Sequence, residues 1–307
     1  MENNRVWAIG VAYNPDQARL TRTIESLLPQ VERVLIVDNT PDPTPALKEY
    51  WRSWVARGVA VVAVGKNLGI AAAQNLGARR ALRGGAAALL FFDHDSVFAS
   101  DYVATIQEAY GRLVGDVGAL GGLAFDAREA DSANRDVLAY RDTSWGPRRW
   151  ADAALRLHEV LPAAFLIASG LYVPRQTWER VGPMNAEMFI DHVDLEWSAR
   201  AKAKGCGTYL VAGATIDHQL GDEVVKLPGR AQVVHVHTPF RVYYLVRNTV
   251  WLIRGLAPIT PTWRIGYLIW LTKYIAFNLV FVPNRLERAK KILKGLRDGF
   301  KPFPKVC

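Results

Sequence analysis

The amino-acid sequence predicts an α/β fold, in which a sheet is flanked by helices and followed by amphipathic C-terminal helices. From Val6 to about Ala124, short runs rich in β-branched residues alternate with amphipathic stretches, a pattern that is typical of βαβ units. The apolar run AALLFF ends abruptly at acidic residues, as a buried strand does at the edge of a sheet. After Phe240 the chain becomes dense in Trp, Tyr, Leu and Ile, which predicts helices with an apolar face.

The predicted elements follow one another in a regular order over the first hundred residues. We expect strands in VWAIGVAY, RVLIVDN, VAVVAV and AALLFF, and helices in DQARLTRTIESLL, PALKEYWRSWVAR and IAAAQNLGARRALRGG. The stretch from Asp126 to Leu161 carries several charges, two Trp and a Gly-Pro, so we expect it to be rich in loops. Beyond it, Phe165–Pro174 is apolar enough for a strand, and Asp191–Lys204 has the spacing of a helix.

Composition and cysteine content limit the class of protein. The chain has 307 residues, of which 50% are hydrophobic and 22% charged, so it is able to bury a sizeable core. Cys206 and Cys307 are the two cysteines of the sequence, which excludes a disulfide framework and a four-cysteine zinc site. The first residues do not have the pattern of a secretory signal, and we therefore expect a cytoplasmic protein.

The positive charge of the chain is concentrated near its C-terminus. The formal net charge is +9, and the basic residues from Asn284 onward outnumber Glu287 and Asp298. These basic residues are Arg285, Arg288, Lys290, Lys291, Lys294, Arg297, Lys301 and Lys305. Because aromatic and basic residues occur together, we expect helices that lie on an anionic membrane surface, and not a nucleic-acid-binding region. The alternative is an apolar helix packed on the rest of the chain.

The strongest local signal is the run FFDHDS, in which Asp93 and Asp95 follow a buried strand. A strand directs alternate residues to one side, so the two carboxylates are able to approach one divalent cation. Such a cation would bridge diphosphate oxygens and neutralise the charge of a departing nucleotide. Because Asp-x-Asp is a common pattern, a solvated loop is the alternative interpretation.

A second set of polar residues follows two other predicted strands. Asp38 and Asn39 close the run RVLIV, and Asn67 and Gly69 open the run NLGIAAAQN. Asp38 would accept a hydrogen bond from a pyrimidine imide, and Gly69 would let the backbone approach a ribose or a phosphate at a helix N-terminus. Ordinary turns between strand and helix are the alternative. The sequence lacks the P-loop and dinucleotide-binding glycine patterns.

Two further acidic runs lie in the second half of the chain. In FIDHVDLEW, Asp191 and Asp194 are three residues apart, so on one helix they would share a face, with one carboxylate as base and the other supporting it. An acidic first turn that complements the helix dipole is the alternative. In DHQLGD, His218 is a candidate ligand for the metal or the phosphate, although an isolated histidine is more often structural.

Taken together, the ordered motifs resemble the GT-A glycosyltransferases of family 2, and most closely their bacterial rhamnosyltransferases. The resemblance extends from about Val6 to Asn248 and rests on AYNP, VDN, NLGIAAAQNLG, FFDHDS, SGLYVPR, FIDHVDLEW, DHQLGD and RVYYLVRN. It implies a GT-A fold with a Rossmann-like mixed sheet. It also implies a catalytic domain over residues 1–240, with a nucleotide-sugar half at 1–97 and an acceptor half at 98–240, and a membrane-associating helical region at 241–307.

The resemblance further implies a metal-dependent, inverting transfer of a sugar from a nucleoside diphosphate. The expected metal is Mg²⁺ or Mn²⁺, held by Asp93, Asp95 and His218. The residues expected to contact the donor are Ala12, Asn14, Asp38, Asn39, Asn67, Gly69, Asn75, Asp93, His94 and Asp95. Many family members carry an acidic pair where this chain has Asp191-His192, so the base is ambiguous: we favour Asp191, keep Asp194 as the alternative and give His192 an orienting role.

The resemblance also implies the substrates and the location of the enzyme. We expect thymidine diphosphate rhamnose as donor, with a uridine diphosphate sugar as the alternative, and a saccharide or lipid-linked acceptor used in O-antigen, capsule or glycolipid synthesis at the inner face of the membrane. The oligomeric state stays open. A sugar nucleotidyltransferase is disfavoured, because Ala12-Tyr13-Asn14-Pro15 lacks the glycine-rich basic loop of such enzymes. A binding protein without turnover is disfavoured because the acidic residues are retained.

Overall fold

The computed structural model describes residues 5–126, 139–151, 155, 159–218, 223–226 and 233–303. A large sheet forms the centre of the described part. The strands are β1 (Val6–Ala12), β2 (Arg33–Asp38), β3 (Ala60–Ala63), β4 (Ala88–Asp93), β5 (Val97–Phe98), β6 (Val117–Asp126), β7 (Tyr140–Arg141), β8 (Arg148–Arg149), β9 (Val160–Pro162), β10 (Leu171–Pro174), β11 (Gly207–His218), β12 (Glu223–Lys226) and β13 (Val233–Val236).

The central sheet is mixed, as expected. Its strand order is β3-β2-β1-β4-β10-β6-β11-β5, and β9 pairs with β11. The strands β3, β2, β1 and β4 run parallel, whereas β10 lies antiparallel between β4 and β6. The strand β11 runs parallel to β6 and antiparallel to β5. The parallel half follows from the βαβ pattern of the first hundred residues.

Helices cover both faces of this sheet. The helices are α1 (Gln17–Leu27), α2 (Pro45–Ala56), α3 (Ile70–Arg83), α4 (Tyr102–Arg112), α5 (Arg175–Val181), α6 (Val193–Ala203), α7 (Pro239–Arg254), α8 (Pro261–Val280) and α9 (Arg285–Gly299). Local chemistry sets the starts of the first two. Asp16 accepts from the backbone of Ala18 and Arg19 to cap α1, and Thr44 caps α2 just before Pro45.

The core lies on both sides of the sheet because successive strand residues point to opposite faces. In β4, Phe91 packs against Trp178 on one face, with ring centroids 5.4 Å apart. Its neighbour Phe92 packs against Phe98 on the other face, with centroids 6.4 Å apart. The rigid centre that results places the carboxyl end of β4, and therefore Asp93, at a fixed position.

The three C-terminal helices pack on one another and against the rest of the chain. Val246 and Val250 of α7 contact Leu271 of α8 and Ile292 of α9 in one apolar cluster. Gly295 makes a close α7–α9 contact possible, because an added Cβ there would lie 2.8 Å from the carbonyl oxygen of Tyr243. None of the helices within the described residues combines the length and hydropathy that a membrane crossing requires.

Two sequence predictions of element boundaries need correction, and the predicted division into domains stays a prediction. The strand expected over Phe165–Pro174 is confined to Leu171–Pro174. The helix expected from Asp191 begins at Val193, so Asp191 lies outside it. The predicted boundary between residues 240 and 241 falls inside the first turn of α7, which begins at Pro239. Within the loop-rich region expected at 126–161, residues 127–138, 152–154 and 156–158 lie outside the described part.

Candidate functional site

The polar residues predicted from the first strands meet at one edge of the sheet. Ala12 pairs with Asp38 across β1 and β2, and Val11 pairs with Asp93 across β1 and β4. Because these strands are parallel, their carboxyl ends open at the same edge. Asp93 is the last residue of β4, and His94 and Asp95 form the turn that follows; all three are partly exposed. This edge is therefore the candidate site.

Asp38 is at the base of this edge and is fully buried. One carboxylate oxygen accepts from the backbone of Thr40 at 3.0 Å, and the other accepts from Trp51 Nε1 at 2.7 Å. Ala12 is also fully buried, and its carbonyl accepts from the backbone of Asn39 at 2.7 Å. Asp38 therefore organises the end of β2 in this structure. Its predicted contact with a base stays a prediction and requires that Trp51 move.

The turns around Asp38 are tied together by short hydrogen bonds. The backbone of exposed Asn14, which has a φ of 43°, donates to Thr40 Oγ1 at 3.0 Å. The side chain of Asn39 donates to the carbonyl of Gly69 at 3.2 Å, and Asn67 accepts from the backbone of Gly69 at 2.9 Å. The predicted residues Asn14, Asn39 and Asn67 are thus close together at the sheet edge, and their contacts with a donor stay a prediction.

Gly69 has a further reason besides the one predicted. Its φ is +78°, and an added Cβ would lie 2.5 Å from the ring of Phe189 and 2.7 Å from its carbonyl oxygen. That carbonyl accepts from the backbone of Ile70 at 2.7 Å at the start of α3. The space on the Cβ side of Gly69 therefore belongs to Phe189, and the predicted approach of a ribose or phosphate to the Gly69 backbone stays a prediction. The glycine allows a close contact between two segments of the chain.

Both ends of the Asn75 side-chain amide are used within the protein. Its nitrogen donates to the carbonyl of Met184 at 2.8 Å, and its oxygen accepts from the backbone of Met184 at 2.8 Å. The residue is 5% exposed. Asn75 thus fastens α3 to the segment that leads to the acidic run FIDHVD, and its contact with a donor stays a prediction.

That acidic run begins in a strained conformation. Phe189, Asp191 and His192 all have positive φ values, of 63°, 66° and 62°. Positive φ is costly for residues other than glycine and persists only where the surroundings impose it. The prediction that Asp191 and Asp194 share a helix face was therefore wrong. Asp191 lies in the loop that precedes α6, and Asp194 lies in the first turn of α6.

Two residues of α7 hold the strained loop in place, and the sequence prediction did not assign them a role. The side-chain nitrogen of Asn248 lies within 3.0 Å of the carbonyl oxygens of Met188, Ile190 and Asp191. Arg247 Nη2 donates to the carbonyls of Glu187 and Met188 at 2.7 and 3.0 Å. We call residues 187–192 the strained loop. The motif RVYYLVRN contained both residues, but only the structure gives their function.

Asp191 is held by a third residue of that motif. Arg241 Nη2 lies 2.6 Å from Asp191 Oδ1, and Arg241 Nε lies 3.4 Å from Asp191 Oδ2. The side chain of Asp191 is only 7% exposed. The carboxylate of Asp191 is therefore engaged by Arg241 and leaves little surface for a substrate.

Asp194 has a different environment. It is partly exposed, and Oδ1 accepts from the backbone of Leu195 at 2.8 Å. Burial raises the pKa of Asp194 to about 6, and the negative charges of Asp93 and Asp191 add to this rise. A carboxylate with this pKa is suited to accept a proton near neutral pH.

His192 is neutral in this structure and fixed by α7. Its Nε2 lies 3.0 Å from Thr249 Oγ1, whose hydroxyl donates to the carbonyl of Leu245. The hydroxyl has one proton, so Nε2 is assigned as the donor to Thr249. Burial lowers the pKa of His192 to about 4; Asp191 opposes this shift and His237 adds to it.

Asp93, Asp95 and His218 are the residues expected to bind a divalent cation. Among the described residues, no three His, Cys, Asp or Glu side chains are grouped as a metal cage. Asp93 and Asp95 still provide the oxygen ligands that Mg²⁺ and Mn²⁺ prefer, and Mg²⁺ commonly takes one or two carboxylates with substrate phosphates and water completing its shell. His218 is the last residue of β11, and its side chain lies outside the described part.

The comparisons with known proteins agree with this geometry. A family model described as glycosyl transferase family 2 matches residues 8–122. The chain is 30% identical to the dTDP-rhamnosyl transferase RfbF of Shigella flexneri, over 97% of this chain and 96% of that protein.

Solved glycosyltransferase structures share the fold. One is GalNAc-T7 with UDP, GalNAc and Mn²⁺, at 14% identity and a TM-score of 0.57; the match covers 91% of this chain and only 57% of that one. Another is the mannosyltransferase PcManGT of Pyrobaculum calidifontis with GDP-Man and Mn²⁺, at 15% identity and a TM-score of 0.55, covering 95% of this chain and 74% of that one.

Proposed function

This chain belongs to glycosyl transferase family 2, and on that premise we propose that it transfers L-rhamnose from dTDP-rhamnose to a saccharide or lipid-linked acceptor in cell-surface polysaccharide or glycolipid synthesis. The choice of donor is supported by the near full-length similarity to a dTDP-rhamnosyl transferase. A uridine diphosphate sugar is the alternative donor. Asp38 stays the candidate for contact with the base.

The proposed reaction is one in-line displacement with inversion at the anomeric carbon. A bond forms between the acceptor oxygen and the anomeric carbon while the bond from that carbon to the diphosphate oxygen breaks, with dTDP as leaving group. The proton of the acceptor hydroxyl passes to a carboxylate of the enzyme. The observation that carries the proposal is a backbone contact: the carbonyl of Phe189, in the strained loop before Asp194, accepts from the backbone of Ile70 at 2.7 Å, which joins the acidic run to the sheet edge that carries Asp38 and Asp93.

We assign the base to Asp194 and a positioning role to Asp191. This assignment differs from our preference for Asp191, which rested on sequence alone. Arg241 contacts both carboxylate oxygens of Asp191, and the Asp191 side chain is only 7% exposed. Asp194 is partly exposed, and no ion pair with Arg241 restrains it in the same way. The strained loop and the neutral His192 would fix the direction from which the acceptor reaches Asp194.

Asp93 and Asp95 are the residues that would hold Mg²⁺ or Mn²⁺ in the proposed enzyme. When bound, the ion supplies positive charge that stabilises the departing diphosphate. His94 lies between the two carboxylates on the same turn and is a candidate contact of the donor. Mn²⁺ in two of the similar structures supports this expectation.

The first experiment is thermal unfolding of the purified protein with dTDP, UDP or GDP, each with Mn²⁺ and with excess chelator. We expect dTDP with Mn²⁺ to raise the melting temperature, because a ligand that binds only the folded state stabilises it by about 2.7 kcal/mol at a hundred times its Kd. If UDP is the one nucleotide that raises the melting temperature, the donor is a uridine diphosphate sugar. If no nucleotide shifts the melting temperature, the proposed function is contradicted. If sugar transfer is undiminished in excess chelator, the proposed metal site is contradicted.

We also propose that α8 and α9 attach the enzyme to the inner face of the cell membrane as a peripheral protein. Large apolar residues on one side of α8 are exposed, among them Ile265, Leu268 and Ile269, at 48, 52 and 48%. On α9, Leu286 and Leu293 are 73 and 67% exposed, and basic residues surround them. Apolar and cationic groups on one surface suit the boundary of an anionic bilayer.

Vesicle sedimentation tests this attachment. We expect the protein to sediment with vesicles of phosphatidylglycerol and phosphatidylcholine, and to do so less with phosphatidylcholine alone or at high salt. The double variant Leu268→Ser, Ile269→Ser should reduce binding severalfold. Val114→Ser is the matched control, because Val114 is 95% exposed on a different part of the chain. Equal sedimentation of both variants would contradict the proposed surface.

A further inference from the structure

The helix α8 carries an aromatic face that is separate from its exposed aliphatic face. Tyr267, Trp270 and Tyr274 follow the i, i+3, i+7 spacing that puts residues on one side of a helix. The rings of Trp270 and Tyr274 are stacked, with centroids 4.9 Å apart and an angle of 13° between their planes. We call Tyr267, Trp270 and Tyr274 the aromatic face.

The aromatic face lies against the strained loop. His192 meets Trp270 edge to face at 6.1 Å and meets Tyr267 in the same way at 5.9 Å. The charges of the two candidate carboxylates also reach this face. Burial is the main cause that raises the pKa of Tyr267, and the negative charge of Asp194 is the next. For Tyr274, burial again raises the pKa most, and the negative charge of Asp191 is the next cause. The ring contacts of His192 thus join the aromatic face to the segment that carries both carboxylates.

The members of the aromatic face differ in exposure. Tyr267 is 8% exposed, whereas Trp270 is 39% exposed. Tyr274 covers one side of the Trp270 ring and His192 approaches it at an angle, so the accessible surface of Trp270 belongs to its remaining side. An indole surface beside His192, two residues before the candidate base Asp194, is thus open to an incoming molecule.

We propose that Trp270 is an acceptor subsite, on which a pyranose ring of the acceptor stacks so that one of its hydroxyls reaches Asp194. This inference rests on the proposed function and specifies its acceptor as a saccharide at the reacting end. It also assigns part of the substrate site to the C-terminal helices.

A sugar ring fits this position better than a lipid chain does. A pyranose has faces made of C–H groups, which carry partial positive charge and pack on the negative face of an aromatic ring, and it has hydroxyls for polar neighbours. Trp270 provides the ring, and Asp191, Asp194 and His192 provide the polar surroundings. The aliphatic residues suited to lipid, Ile265, Leu268 and Ile269, lie on the other side of α8.

The test measures sugar binding directly on the full-length protein. The probes are the methyl glycosides of L-rhamnose, D-glucose, D-galactose and N-acetyl-D-glucosamine, followed by saturation-transfer NMR with and without dTDP and Mn²⁺. We expect saturation of ring C–H protons in at least one glycoside. Trp270→Leu should raise the apparent Kd of that glycoside about five- to tenfold, whereas Trp270→Phe should largely retain binding.

Phe281→Leu is the matched control, because Phe281 is a 52% exposed aromatic residue at the end of the same helix. It should leave the Kd of the glycoside unchanged, and neither variant should change the Kd of dTDP. The subsite is overturned if no glycoside binds the wild type, if Trp270→Leu binds it equally well, or if this variant loses only vesicle binding. Each of these results leaves dTDP binding, and therefore the proposed function, to its own measurement.

Discussion

The side-chain nitrogen of Asn248 lies 2.9 Å from the backbone carbonyl oxygen of Asp191, although the two residues are 57 positions apart. Asp191 has a φ of 66°, and such a conformation costs on the order of 1–3 kcal/mol for a residue with a side chain. Asn248 is fully buried and also reaches the carbonyls of Met188 and Ile190. The amide therefore stabilises a loop that its own local sequence does not favour.

We expect Asn248→Ala to release the strained loop. The buried carbonyls lose their donor, which should lower the free energy of unfolding by about 1–3 kcal/mol. Because Asp191 and His192 would lose their positions, kcat should fall at least about tenfold while the melting shift produced by dTDP is kept. The measurements are urea unfolding, steady-state kinetics and thermal shift.

Asn278→Ala is the control for that variant. Asn278 is also a buried asparagine, but it accepts from Arg288 Nη1 at 2.8 Å within the C-terminal helices. It should reduce stability with a smaller effect on kcat per kcal/mol lost. If both variants lower kcat in proportion to stability, Asn248 has no special role in the loop.

The assignment of Asp194 as base predicts unequal effects of two conservative changes. Asp194→Asn should lower kcat by about 10²–10⁴-fold, the usual contribution of a general base, with little change in the affinity for dTDP. Asp191→Asn keeps the size of the side chain and removes only the ion pair with Arg241, so its loss should be about tenfold. Larger loss from Asp191→Asn would reverse the two roles.

The pH dependence gives an independent test of the same base. The pKa of Asp194 is raised to about 6, and the carboxylate accepts a proton only when it is ionised, so kcat/KM of the wild type should decline as the pH falls below about 6. Asp93 contributes to this raised pKa, and a cation bound there should therefore move the decline to lower pH as its concentration rises. Asp194→Asn should lack this acidic limb in its residual activity.

Gly69→Ala tests whether the glycine serves the protein or the donor. An alanine at this φ is strained, and its Cβ would also collide with Phe189, so we expect loss of stability and of kcat together. Gly65→Ala is a matched control, because Gly65 has a φ of +69° and nothing within 4 Å of the added Cβ. If Gly69→Ala raises the KM for the donor and unfolds at the same urea concentration as Gly65→Ala, Gly69 contacts the donor instead.

His192 predicts a loss of stability in acid. Its pKa is lowered to about 4 in the folded state, whereas an unfolded histidine has a pKa near 6.5, so the unfolded chain binds the proton first as the pH falls. The stability is complete above about 6.5 and is lost toward 4, by on the order of 3 kcal/mol. His192→Gln should remove this dependence in urea unfolding. His94→Gln, at a partly exposed turn, should retain it.

The sequence was sufficient for the sheet and for the end of β4. Alternating β-branched and amphipathic runs are local signals, and they located β1 to β4 and α1 to α3 within a few residues. The strand β10 was overestimated, because apolar residues of Phe165–Pro174 are buried without all of them pairing in the sheet. Periodicity reports burial, and the partner that causes the burial is decided by the tertiary fold.

The site was harder to predict from the sequence than the sheet was. Its acidic residues were found from their spacing, but the start of α6 was placed too early, since the contacts that impose positive φ on Asp191 and His192 come from α7. Likewise, the reason for Gly69 is Phe189, which lies 120 positions along the chain. No local pattern reports a contact of this kind.

The dependence of the strained loop on α7 has a consequence for the chain while it is being translated. Met188 to His192 are translated before Arg247 and Asn248, so a growing chain with a finished sheet still lacks the groups that impose the loop. Nucleotide binding would then appear during synthesis before sugar transfer does. We therefore expect turnover only after the C-terminal helices have been made, because Arg247 and Asn248 hold the loop that precedes Asp194.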